Sequence, residues 1–262
     1  MGVRRIESVF KQKKDVLSIY ITAGYPELDS MPSLVGVLDK TGVDFFELGM
    51  PYSDPLADGP VIQNSSAAAL KTGMNLENYF EQVKEARKNT EKPLLFMGYY
   101  NQIFKFGIKD FLNKCNESGI DGLIIPDLPP DIYSNKYNME FEKFDLGMIF
   151  LITPTTSDER IKYIDELSNG FIYAVSTSST TGKEGQFSDQ QIEYFKRIRK
   201  LRLGNPVVVG FGISNKEKYQ LVNEYLAGAI IGSAFLKSIS DKESYLKDAV
   251  EFVKKIKVSS RR

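Results

Sequence analysis

Three carboxylates crowd one short stretch of this sequence: Glu47, Asp54 and Asp58, in the run Glu47-Leu48-Gly49-Met50-Pro51-Tyr52-Ser53-Asp54-Pro55-Leu56-Ala57-Asp58-Gly59-Pro60. Glu47 stands inside an apolar run, Phe45-Phe46-Glu47-Leu48, where a carboxylate must either pair with a buried cation or point into a cavity. Burial raises a carboxyl pKa, so such a group could both give and take a proton near neutrality. Asp54 precedes Pro55 and Asp58 precedes Gly59-Pro60, so turn chemistry alone accounts for either aspartate and the pattern does not choose between them. The chain has no histidine, which removes Ser-His-Asp triads, imidazole bases and His-ligated metals. A single cysteine, Cys115, removes intrachain disulfides and Cys-cluster zinc sites. Acid–base chemistry therefore falls to Asp, Glu, Tyr or Lys.

A second group of residues suits an anion. Gly210-Phe211-Gly212-Ile213-Ser214 and, one repeat later, Gly232-Ser233 would let backbone N–H groups approach a phosphate closely, with a helix start after the last strand adding its dipole. A lone Gly-x-Gly reads better as a chain turn; the pair tips the balance to phosphate. A dinucleotide site is not indicated, since no Gly-x-Gly-x-x-Gly opens a first βα turn. Tyr20, Tyr99, Tyr100, Tyr173 and Phe211 fall at strand ends, where they either cap a core or line a flat aromatic pocket, with Ile62, Met97, Ile125 and Ile230 as apolar walls. The segment 176–185, with three serines, three threonines and two glycines, has the small polar composition of a mobile lid.

These residues need elements to hold them. Short apolar or β-branched runs predict eight strands, at 17–22, 45–48, 94–98, 122–125, 148–152, 171–175, 207–210 and 229–231. Most are apolar throughout, as in a parallel sheet covered on both faces. Helical periodicity follows each, at 31–40, 76–88, 108–117, 131–144, 158–167, 189–200, 216–224 and 244–257, and a short leading helix at 4–12 would cover the barrel bottom. Eight strand–helix units of roughly 30 residues predict an α/β fold, a (β/α)8 TIM barrel, over an evenly spaced open doubly wound sheet. No linker or composition shift divides residues 1–262, which reads as one domain. Active sites of such barrels lie on the loops after the strands, where the carboxylates and glycines fall.

The charge balance is 34 − 34 = 0, with 42% apolar and 26% charged residues, which excludes a strongly basic nucleic-acid binder and a disordered acidic tail. Met-Gly opens the chain, but Ile6 stands where a myristoylation motif needs Ser or Thr. No secretory signal or run of about 20 apolar residues is present, so a cytoplasmic protein is expected.

The segment from Glu47 through Asp58 to Ile62-Gln63-Asn64 closely resembles the signature of the tryptophan synthase α-subunit family. Ile125-Pro126-Asp127-Leu128-Pro129, Gly210-Phe211-Gly212-Ile213-Ser214 and Gly228-Ala229-Ile230-Ile231-Gly232-Ser233 are similar to it in the same order, so the resemblance spans essentially the whole chain. It implies a (β/α)8 barrel and a lyase that cleaves indole-3-glycerol phosphate to indole and glyceraldehyde 3-phosphate. It also implies Glu47 and Asp58, not Asp54, as the catalytic pair, with Tyr173 and Thr181 in support. Phosphate would fall to Gly182, Gly212, Gly232 and Ser233, and the indole pocket to Tyr20, Ile62, Met97, Tyr99, Ile125, Phe211 and Ile230. No metal or cofactor is implied on this chain; pyridoxal phosphate belongs to a β subunit, on which the barrel mouth would dock in an α2β2 heterotetramer. The sequence departs from the family in the lid, where Thr177 replaces an arginine and Ser179-Thr180 replaces Gly-Val. The expectation is a loop that orders poorly alone and an isolated activity that rises on partner binding. The competing readings are a sugar-phosphate isomerase type of barrel and a non-catalytic activator of a β partner.

Overall fold

The computed structural model describes residues 2–55, 58–176 and 186–257. Its strands are β1 (Val16–Thr22), β2 (Phe45–Gly49), β3 (Leu94–Met97), β4 (Gly122–Ile124), β5 (Gly147–Ile149), β6 (Leu151–Ile152), β7 (Ile172–Val175), β8 (Val207–Gly210) and β9 (Gly228–Ile231). All pair in parallel in the order β5-β4-β3-β2-β1-β9-β8-β7-β6. The two ends of that order are neighbours in the chain, separated only by Phe150. The sequence-predicted fifth strand is thus interrupted: β5 pairs with β4 and β6 with β7, while the Phe150 carbonyl accepts from the Tyr173 N–H at 2.9 Å. This change of partner closes the ring and gives the (β/α)8 barrel.

Strand alternation decides what reaches the interior. Phe45 packs on Phe171 at 5.3 Å between ring centroids, and Phe10 of the leading helix, Gly2–Gln12, packs on both. Two residues further along their strands, Glu47 and Tyr173 occupy the next layer toward the mouth. The intervening Phe46 and Leu48 are buried under helices; Tyr79 of the helix Leu76–Arg87 donates to the Leu48 carbonyl at 2.9 Å.

The leading helix plugs the barrel bottom as its sequence position implies. Ile6 fills the space where side chains on Gly122, Gly147 and Gly170 would stand. Arg5 pairs with the buried carboxylate of Asp121, which also accepts from Arg87 at 3.0 Å and the Leu94 N–H at 2.9 Å.

Three helices, Pro60–Lys71, Tyr100–Phe106 and Ser233–Ser238, were not signalled by apolar periodicity. The first is rich in Ser, Asn and Ala, which blunts the pattern, yet Gly59-Pro60 is a helix start, with Pro at the first position where its missing N–H is harmless. The predicted helix 131–144 is divided into Pro130–Ile132, a π-helical turn Tyr133–Tyr137 and Asn138–Glu142. The widened turn lets Tyr133, Tyr137 and Phe141 all face inward.

Candidate active site

Loops at the C-terminal ends of the strands enclose a cavity of about 320 Å3. Its walls include Tyr20, Glu47, Asp58, Ile62, Met97 and Tyr173. Phe211, Gly212, Ile230, Gly232 and Ser233, from the ends of β8 and β9, complete the lining.

Glu47 is placed by register: it lies between Tyr20 on β1 and Leu95 on β3, and only 1% of it is exposed. Among the described residues its Oε2 has no hydrogen-bond partner. Burial, reinforced by the negative charge of Asp58, pushes its pKa up to about 8. Asp58 stands on the turn before the helix Pro60–Lys71 and accepts a 3.2 Å hydrogen bond from the Tyr99 hydroxyl at Oδ2. Burial raises its pKa to about 6, with the Tyr99 hydrogen bond opposing the shift. Two adjacent carboxyls are thereby held apart in acidity, so near neutral pH Glu47 is protonated and Asp58 ionised. Asp54 is exposed, accepts from the Ser53 hydroxyl at 2.6 Å, and does not line the cavity.

Tyr20 and Tyr173 form the aromatic floor. A side chain on Gly49 would collide with the Tyr20 phenol and one on Gly210 with the Tyr173 phenol, so both glycines exist for ring packing. Gly210 is therefore closed to an anion by Tyr173. Gly212 sits at φ +75° and needs its freedom, whereas a Cβ on Gly232 would meet Tyr20 only in ordinary contact. Phe211 adopts φ +71°, rare for a bulky residue, and its ring meets Tyr173 edge-on at 6.4 Å.

Two expected wall residues stand apart from this cavity. Tyr99 does not line the main cavity: it follows β3, precedes the helix Tyr100–Phe106, and stands behind Asp58 with its ring stacked on Tyr52 at 4.8 Å. Ile125, just past β4, is buried in the core instead. Ile213 and Ser214 of the glycine-bearing run join the lining, as do Ala234 and Lys237, which the sequence reading had not singled out. Lys237 is four residues beyond Ser233 on the helix Ser233–Ser238, so a helical reading of that segment finds it. Thr181, Gly182 and the lid departures at Thr177 and Ser179-Thr180 lie outside the described residues.

A parallel barrel with two carboxyls of divided acidity in an apolar, ring-lined mouth has the layout of a barrel enzyme and is suited to proton transfer. Comparison with known proteins agrees. The sequence matches the family described as tryptophan synthase alpha chain over residues 6–261, and the chain belongs to that family. It is 52% identical to the tryptophan synthase alpha chain of Christiangramia forsetii, with 97% of this chain and 99% of that one covered. Identity to the Flavobacterium psychrophilum alpha chain is 51%, over 91% and 94%. Among solved structures, the tryptophan synthase A-subunit of Pyrococcus furiosus superposes with a TM-score of 0.86 at 34% identity, covering 93% of this chain and 98% of that one. The tryptophan synthase complex of the same organism matches with a TM-score of 0.84, also at 34% identity and with the same coverage.

Proposed function

We propose that this chain performs its family's reaction, cleavage of indole-3-glycerol phosphate to indole and glyceraldehyde 3-phosphate, with Glu47 and Asp58 as the catalytic pair. The observation that carries this reading is a buried glutamic acid whose Oε2 has no hydrogen-bond partner among the described residues, next to an ionised aspartate, in a cavity also lined by Gly212, Gly232 and Ser233.

The bond to be broken joins ring carbon 3 of indole to the hydroxyl-bearing carbon of the side chain. An aromatic carbanion is a poor leaving group, so the ring is first protonated at carbon 3. Glu47, neutral near pH 7, is the donor, and the ring becomes a cationic indolenine. The Glu47 carboxylate then removes the side-chain hydroxyl proton. The carbonyl of glyceraldehyde 3-phosphate forms, the carbon–carbon bond breaks, and its electron pair restores the aromatic ring. Glu47 ends protonated, as it began. Asp58 accepts the ring N–H and stabilises the positive charge that develops there, an electrostatic role strengthened by the apolar walls. Tyr20, Ile62, Met97, Phe211 and Ile230 sandwich the ring, and Tyr173 flanks Glu47.

Phosphate is taken by backbone N–H groups around Gly212, Gly232 and Ser233, which supplies remote binding energy for orientation. Support comes from Gly232, whose missing side chain is required by no protein contact. The chain needs no cofactor of its own; pyridoxal phosphate is the β subunit's. A β subunit docks on the mouth. Phe104 (61% exposed) and Ile132 (48%), in the first helices after β3 and β4, offer it apolar contacts. Among the described residues no helix is long and apolar enough to cross a membrane, and the reading keeps the enzyme cytoplasmic. The isomerase and non-catalytic alternatives are not favoured by the family match.

An indole-release assay on the full chain, with and without β subunit, tests the assignment. Asp58→Asn is expected to lower kcat by about 10²–10³, while Asp54→Asn changes it little. Equal losses in the two variants would overturn the choice of aspartate. Gly232→Val should abolish glycerol 3-phosphate binding, and unchanged binding would remove that part of the lining from the phosphate site.

A further inference from the structure

The turn at 210–214 is held in an unusual shape. Phe211 and Gly212 both have positive φ, +71° and +75°. For a phenylalanine that conformation is unfavourable and persists only where neighbours enforce it. Two side chains from different elements do so. Ser176, buried at the end of β7, donates its hydroxyl to the Phe211 carbonyl at 2.7 Å and makes a longer 3.4 Å contact to the Gly210 carbonyl. Lys218 donates its ammonium to the next carbonyl, Gly212, at 2.8 Å.

Lys218 is itself well anchored. It lies in the first turn of the helix Lys216–Tyr225, where the Asn215 side chain caps its backbone N–H at 2.9 Å. Its ammonium stands 5.2 Å from the centre of the Phe187 ring. The side chain thus has a fixed path to the carbonyl it holds.

A trans peptide points its C=O and N–H in opposite directions. Fixing the Phe211 and Gly212 carbonyls therefore turns the N–H groups of Gly212 and Ile213 away from Ser176 and Lys218. Among the described residues neither of these N–H groups has a backbone acceptor. Gly212, Ile213 and Ser214 all line the cavity.

We propose that Lys218 and Ser176 are positioning residues for phosphate: they lock two consecutive peptides so that the Gly212 and Ile213 N–H groups face the substrate's phosphoryl oxygens. This rests on the phosphate reading above and adds to it two residues that line no part of the cavity. The charged donor on the Gly212 carbonyl also polarises that peptide, making the Ile213 N–H a stronger donor.

Calorimetric titration of the full chain with glycerol 3-phosphate, together with steady-state cleavage of indole-3-glycerol phosphate, tests this. Lys218→Met should weaken glycerol 3-phosphate binding about tenfold. KM should rise by a similar factor with kcat within about twofold, and indole affinity should not change. Lys218→Arg, which keeps a charged donor, should recover binding to within about threefold of the parent. Ser176→Ala should give a smaller loss, about threefold, and provides an independent reading if the Lys218 variants fold poorly. Unchanged phosphate binding in Lys218→Met and Ser176→Ala, while Gly232→Val loses it, overturns the positioning role and leaves the phosphate site standing. Unchanged binding in all three removes the phosphate site itself. A Lys218→Met deficit that vanishes at high salt would mean the lysine acts through long-range charge, which also overturns the proposal.

Discussion

The two ends of the barrel each bury a carboxylate to 1% exposure, Asp121 at the bottom and Glu47 at the mouth, and treat it in opposite ways. Asp121 receives Arg5, Arg87 and the Leu94 N–H, so the upward push of burial on its pKa is opposed by two guanidiniums. Glu47 has Asp58 as its charged neighbour, and burial and repulsion push the same way. The bottom is satisfied and closes the barrel with the leading helix. The mouth carries an unfavourable group, and the proposed proton chemistry draws on that discomfort.

Exchanging the charged group at each end separates these roles. Glu47→Gln should reduce kcat by about 10³-fold or more, since an amide cannot shuttle protons, with circular dichroism unchanged. A folded variant retaining substantial turnover would remove Glu47 from the centre of the reaction. The same substitution should stabilise the fold in alkali. A carboxyl whose folded pKa is raised to about 8 binds more protons folded than unfolded, so its contribution to stability declines as pH rises from the unfolded value toward 8. Chemical denaturation should therefore show the variant ahead by on the order of a few kcal/mol at pH 9 and equal to the parent at pH 4.

At the other end, Asp121→Ala strips two arginines of their shared partner. A loss of about 3 kcal/mol in unfolding free energy is expected, with turnover per folded molecule retained. A stable Asp121 variant with impaired chemistry would invert the comparison. Smaller effects follow from pH. The kcat/KM profile should be a bell with limbs near 6, where Asp58 ionises, and near 8, where Glu47 loses its proton. Smallest of all, Tyr99→Phe should move the acidic limb upward by a fraction of a pH unit, because the lost hydrogen bond favours ionised Asp58. A downward shift would contradict the placement of Tyr99 behind that carboxylate.

Much of this architecture is local and was legible as such. The strand at 207–210 and the helix at 158–167 coincide with their apolar runs and, for the helix, with the Ser157 cap, whose hydroxyl accepts the Arg160 N–H at 3.2 Å. Where periodicity is weak, as in Pro60–Lys71, only the Gly59-Pro60 start could have announced the helix. The break at Phe150 carries no local signal at all, because it marks a change of pairing partner between distant strands. The π-turn at Tyr133–Tyr137 likewise answers to where three aromatic side chains must pack.

For the site, the sequence alone determined the chemical repertoire: no imidazole, one thiol, and carboxylates and glycines grouped after strand ends. Residue types and spacing are properties of the chain, and the strand rule that places Glu47 inward needs only alternation along β2. The residue pattern left the two aspartates open and the family resemblance pointed to Asp58; only the tertiary structure put Asp58 in the cavity lining, Asp54 outside it and Tyr99 behind Asp58. It alone assigned Gly210 to the Tyr173 ring and brought Ser176 and Lys218 to consecutive carbonyls. Each of these is a contact between segments far apart in the chain. Its energy depends on burial and distance in the closed barrel, and no run of neighbouring residues encodes those.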